Sequence, residues 1–89
     1  MDGIKVVRMT EAEAERKGIG GWGIWEKEPS EFEWAYTDEE QCYVLEGRAE
    51  IRTEDGAVEI GKGDYVVFPR GLRCTWIVKD GLRKRFRFS

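Results

Sequence analysis

Histidine and asparagine are absent from this 89-residue chain, and Gln41 is its only side-chain amide. Without an imidazole there is no base of the usual kind for a cysteine nucleophile, so Cys–His chemistry is excluded. Cysteine is scarce: two residues are too few for a disulfide framework. The start of the chain, Met1-Asp2-Gly3-Ile4-Lys5, shows no basic-then-apolar leader. Free thiols and a cytoplasmic location are therefore expected. No apolar run approaches the ~18 residues of a membrane span. The net charge of −3 supplies no general attraction toward nucleic acid or an anionic bilayer.

What is present is charge and aromatic bulk. Charged residues make up 37% of the chain, a Glu/Lys/Arg enrichment that, with so few amides, matches the pattern of thermophile proteins. Four Trp, four Phe and three Tyr can fill the interior of a small domain, where burial is otherwise hard to achieve. One domain is expected over residues 1–89.

Residues 4–8 are rich in β-branched side chains and read as a strand. Thr10 and Glu13 then form a capping box that opens a short helix over about 10–17, ended by Gly18. From about residue 22 to 88 the signals are all β. Residues 22–27 form a strand ended by Pro29-Ser30, and Phe32, Trp34 and Tyr36 alternate with Glu33 and Ala35. Residues 42–45 read as a strand stopping at Gly47, and 48–53 and 57–60 flank the hairpin signal Asp55-Gly56. Residues 65–68 form another, and 73–79 and 82–88 flank Asp80-Gly81, which predicts a second hairpin. About eight short strands with turns between them predict an all-β barrel or jelly roll with one N-terminal helix.

Two glycine-punctuated motifs stand out. The first is Trp34-Ala35-Tyr36, then Glu40, six residues and Gly47. The second is Gly63-Asp64, four residues, Pro69-Arg70-Gly71 and, three positions on, Cys74. This layout resembles the signature motifs of the cupins, small double-stranded β-helix barrels whose lumen usually holds a metal on three His and one Glu. Aligned by spacing, Glu40 matches the family glutamate, and Trp34, Tyr36 and Cys74 fall where the histidines would be. The residues Ile24-Trp25-Glu26, Tyr43-Val44-Leu45-Glu46-Gly47, Thr75-Trp76 and Arg83-Lys84 resemble the small single-domain branch related to ureidoglycine aminohydrolase and the ethanolamine-utilisation cupins. The chain departs from the pattern by lacking the glycine that opens the first motif, and Val78 stands at the asparagine that closes the second. The resemblance implies a jelly-roll barrel with an open mouth and a lumen for something small.

Glu40 is the first candidate for chemistry, since a carboxylate in an aromatic barrel suits proton transfer; the alternative is a rim glutamate in a turn. Lys84 alternates with Leu82, Phe86 and Phe88, so it either points inward or snorkels at the barrel end. An inward lysine needs a partner, and Glu40 is the natural one. Cys74 is a candidate nucleophile or ligand contact, against the alternative of a small buried hydrophobe. Trp34, Tyr36, Trp76 and Trp25 form the candidate ligand-binding set. No metal cofactor is expected, because two of the imidazole positions hold Trp34 and Tyr36; the residual alternative is a weakly held divalent ion on Glu40, Cys74 and Tyr36. Arg83, Arg85 and Arg87 on the outer face of the last strand read as edge protection rather than a nucleic-acid platform. The expected partner is a small polar metabolite, with either catalysis through Glu40 or binding alone as its fate. A lumen that is simply packed is the third reading, and a homodimer through the sheets accords with the resemblance.

Overall fold

Alternation decides which side chains go inward. In a strand, side chains two apart share a face, and the even-numbered residues from Cys74 to Lys84 are buried apart from Asp80, while their odd-numbered neighbours face out or lie half-buried. The structure, a computed structural model, describes residues 3–89. Met1 and Asp2, which open the stretch read above for a leader, lie outside the described residues. The strands are β1 (Lys5–Arg8), β2 (Gly23–Lys27), β3 (Ser30–Ala35), β4 (Glu40–Thr53), β5 (Gly56–Gly61), β6 (Asp64–Phe68) and β7 (Arg73–Phe88), with helix α1 (Glu11–Arg16) between β1 and β2.

Strands β4 and β7 are the frame. They run antiparallel along most of their length, from Glu40↔Phe88 to Arg52↔Thr75. Near their middle both pass from one layer to the other. On one side of the bend lies the order β1-β6-β4-β7-β2; on the other, β5 flanks β4 and β3 flanks β7. The fold is thus an all-β jelly roll with one short helix. Side chains from both layers close on a single core of Tyr36, Cys42, Val44, Ala49, Ile51, Ile60, Val66, Phe68, Cys74, Trp76, Val78 and Leu82.

Two expectations are corrected here. The strand at 42–45 does not stop at Gly47, and Asp80-Gly81 is not a hairpin; about eight strands become seven among the described residues. In β4 the inward parity changes from even (Glu40, Cys42, Val44) to odd (Ala49, Ile51) across register shifts between Val44 and Ala49. Extra residues in a β-bulge bend a strand without ending it. Gly47 sits in that bulge at φ 89°, and a Cβ there would lie 2.2 Å from the carbonyl oxygen of Gly81. The glycine therefore marks a close crossing of β4 over β7, not a strand end. Gly81 does not have the positive φ that a type I′ turn requires. The Asp80 carboxylate is instead held by Arg48 Nε of β4 at 2.7 Å.

The N-terminal reading stands. Thr10 and Glu13 cap α1 reciprocally, the Thr10 Oγ1 accepting from Glu13 N–H at 3.2 Å and Glu13 Oε1 accepting from Thr10 N–H at 3.1 Å. The helix covers a second cluster outside the barrel, built on Met9, Ala14, Ile19 and Tyr43. The Tyr43 hydroxyl donates to Met9 C=O at 2.9 Å and ties the helical segment to β4.

Candidate functional site

Glu40 opens β4, and Lys84 lies on the adjoining half of β7, opposite Val44. Both side chains point inward. Glu40 is 3% and Lys84 5% exposed, and Lys84 Nζ donates to Glu40 Oε2 at 2.6 Å. The second carboxylate oxygen, Oε1, accepts from the Tyr36 hydroxyl at 2.6 Å. Tyr36 reaches it from just beyond β3, where Tyr36 N–H donates to Leu72 C=O and anchors the turn. Burial above all, then the neighbouring Glu40 charge, pushes the Tyr36 phenol well above its ordinary range, so it stays a neutral donor.

Lys84 is held by more than a carboxylate. Its Nζ lies 4.6 Å from the ring centroid of Trp76 and 4.8 Å from that of Trp25, the residue it pairs with across β2. Ring faces attract a desolvated ammonium, by about 2 kcal/mol or more in favourable cases. Carboxylate, phenol and two indoles together offset the cost of burying the charge.

The pair borders a cavity of about 190 Å³. Trp25 and Trp76 line it on one side with Phe32, whose ring is parallel to Trp76 within 4°. Phe86 and Phe88 line it further along β7, and Trp34 completes the wall. Trp34 and Phe88 are each 48% exposed and form the mouth. Of the expected ligand-binding set, Trp25, Trp34 and Trp76 line the cavity, Trp34 at its rim one residue before β3 ends, whereas Tyr36 does not line it and reaches the site through Glu40. Phe32, Phe86 and Phe88 were not singled out as binding residues in the sequence. Their signal was parity: Phe86 and Phe88 alternate with Lys84, and Phe32 alternates with Trp34.

Cys74 is buried in the same core but does not border this cavity. It pairs with Trp34 in register, and its Sγ–H donates to the Trp34 carbonyl oxygen at 3.7 Å. Burial, and secondarily the Glu40 charge, pushes the Cys74 thiol up to about 11. Cys42 is fully buried, and burial pushes its thiol up to about 12. Both thiols are neutral near pH 7, whereas reactive cysteines are thiolates.

A cupin metal does not fit this donor set. Among the described residues no three His, Cys, Asp or Glu side chains converge on one point. The Tyr36 phenol resists ionisation, Cys74 is a neutral thiol turned toward a backbone carbonyl, and Trp34 cannot ligate. Most directly, a cation approaching Glu40 would meet the Lys84 ammonium 2.6 Å from the carboxylate oxygen.

The arginines of β7 are engaged locally. Arg85 donates to Trp22 C=O at 3.0 Å, and Arg87 donates to Gln41 Oε1 at 2.9 Å while lying over the Trp22 ring. Among the described residues no helix is long and apolar enough to cross a membrane.

The family follows from comparison with known proteins. The model of the EutQ-like cupin domain matches residues 14–86. The chain belongs to the EutQ-like cupins. Its fold is similar to that of a DUF861 family protein from Thermotoga maritima, with 45% identity over 97% of this chain and 99% of the other and a TM-score of 0.91. It is also similar to a DUF861 family protein from Pseudomonas syringae, at 26% identity over 75% of this chain and 29% of the other, TM-score 0.69. The EutQ protein of Clostridium difficile shares the fold at 19% identity, with 96% of this chain aligned to 66% of that one and a TM-score of 0.69. No curated protein matches the chain significantly. This cupin thus keeps the family barrel while an internal ion pair takes up the carboxylate at its centre.

Proposed function

We propose that this cupin binds a small polar metabolite in the aromatic cavity beside Glu40 and Lys84, and that Glu40 acts there as a proton acceptor and donor without a metal. One observation carries the reading: a carboxylate–ammonium pair is buried at the wall of a cavity with an open mouth. Buried ion pairs are a weak source of stability compared with apolar packing, so their natural setting is a site that uses them. Cavity size limits the ligand. An engineered cavity of ~150 Å³ holds benzene, so about 190 Å³ admits a single ring or a short chain.

Catalysis would run through Glu40 and Lys84. A substrate N–H or C–H proton would pass to the carboxylate while the ammonium holds the developing negative charge. Tyr36 is a positioning residue that fixes the carboxylate plane. The second reading is binding without turnover, favoured by the fact that both Glu40 oxygens already accept strong hydrogen bonds. Mass spectrometry of small molecules released from the purified protein tests the ligand. Glu40→Gln then separates the readings, because lost turnover with retained binding marks catalysis. A cavity that carries over no compound and takes up none in solution would remove the proposal.

The metal-free state belongs to the same proposal. Elemental analysis giving about one transition metal per chain, lost on Glu40→Ala, would overturn it. A cytoplasmic location, a homodimer and a thermophilic source are extensions of it; the Thermotoga relative and the charged composition support the last.

A further inference from the structure

Lys84 and Glu40 offer the cavity two complementary groups side by side. An ammonium has three protons and no lone pair, and a carboxylate has about four lone-pair sites and no proton. Among the described residues the ammonium makes one hydrogen bond to oxygen, and the carboxylate accepts two, from Lys84 and Tyr36. Beyond the ring faces of Trp25 and Trp76, each therefore keeps hydrogen-bonding capacity that no protein oxygen or nitrogen takes up, and both border the cavity. A ligand that answers both needs an acceptor and a donor on neighbouring atoms.

Charge narrows the choice. Glu40 and Lys84 are the only ionisable side chains on the cavity wall, and their charges cancel. An anion or a cation would bring an uncompensated charge among aromatic rings, which is costly. A carboxylic acid would present the right edge but ionises near neutral pH, and an amidine protonates. A cis amide presents C=O beside N–H and stays neutral. The walls narrow the shape: Trp25, Phe32, Trp76 and Phe86 line the space with ring surfaces, which favour a flat ligand over a branched one.

We propose that the cavity takes a small, neutral, planar cyclic amide of the pyridone or pyrimidinone kind, its C=O on Lys84 Nζ and its N–H on Glu40. The inference rests on the cavity being a ligand site and adds the ligand's chemical class.

Calorimetric titration, with ligand-observed NMR for weak binding, tests it using 2-pyridone, N-methyl-2-pyridone, toluene, benzoate and benzylamine. Hydrogen bonds to charged partners are the strong ones, so 2-pyridone is expected to bind on the order of tenfold or more tighter than each of the others. N-methyl-2-pyridone is the sharpest comparison, since it keeps ring and carbonyl and loses only the N–H. The variant Glu40→Leu/Lys84→Met, which replaces the pair by apolar groups of similar size, should bind toluene and lose the preference for 2-pyridone. Toluene or benzoate binding as tightly as 2-pyridone overturns the amide inference and leaves the cavity as a ligand site. No binding by any of the five overturns the amide inference, and the compounds released from the purified protein then decide separately whether the cavity is a ligand site.

Discussion

Removing one member of the Glu40–Lys84 pair strands the other inside an aromatic interior. Lys84→Met leaves a carboxylate that is 3% exposed with only the Tyr36 hydroxyl as partner. Glu40→Leu leaves an ammonium held by the Trp25 and Trp76 rings alone, and a Tyr36 hydroxyl with no acceptor. Breaking a buried pair in this way costs about 3–5 kcal/mol. For a domain of this size, 1 kcal/mol shifts Tm by roughly 4–8 °C, so 3 kcal/mol corresponds to ~12–24 °C for each single variant. Glu40→Leu/Lys84→Met strands no charge. Its remaining penalty is the unpaired Tyr36 hydroxyl, about 1–3 kcal/mol. The double variant is therefore expected to be more stable than either single one, with a coupling energy of ~3 kcal/mol or more. Urea denaturation of the four proteins at pH 7.5 measures this cycle. Additivity within ~0.5 kcal/mol would refute the reasoning, since independent sites add to that precision.

Three further outcomes follow from the same structure. Cys42 has its pKa raised by burial from 9.0 to about 12, so its contribution to stability is complete below pH ~9 and is lost as pH rises toward 12; urea midpoints should fall over that window, less steeply in Cys42→Ala, and a flat profile from pH 8 to 11 would contradict the assignment. Gly47→Ala should prevent folding or cost several kcal/mol, because its Cβ would lie 2.2 Å from a backbone oxygen at φ 89°; Gly20→Ala, with nothing within 4 Å, should stay within ~0.5 kcal/mol by circular dichroism melts. The exposed network in which Arg48 joins Asp80 and Glu59, while Lys79 joins Glu59 and Glu50, should make Lys79→Ala cost more at high temperature than at 25 °C and more at low salt than at 1 M; equal cost under all conditions would remove it as a thermal device.

Much of the site was legible in the sequence because both of its signals are local. Parity placed Lys84 on the face of Leu82 and Phe86, and motif spacing matched Glu40 to the family glutamate. Each signal left an alternative open, the snorkelling lysine and the rim glutamate, since a one-dimensional pattern does not say which face is inside near a barrel end. Cys74 shows the limit from the other direction. Its spacing marked a ligand position, yet its register opposite Trp34 turns the thiol to a backbone carbonyl and away from the cavity.

The residues alone determined the all-β class and the capped helix at Thr10, because alternation and capping act over short range; they named Glu40 as the partner of Lys84 only for the case in which that lysine points inward. Tertiary structure decided the rest. Asp80-Gly81 has hairpin chemistry, yet β7 continues through it, because pairing with β4 on both sides of the bend outweighs a two-residue preference. Gly47 looked like a stop and proved to be a crossing, since what demands glycine there is a carbonyl oxygen 34 positions along the chain at Gly81. The cavity itself exists only where Trp25, Phe32, Trp76 and Phe86 from three strands meet, and no segment of the sequence contains that space.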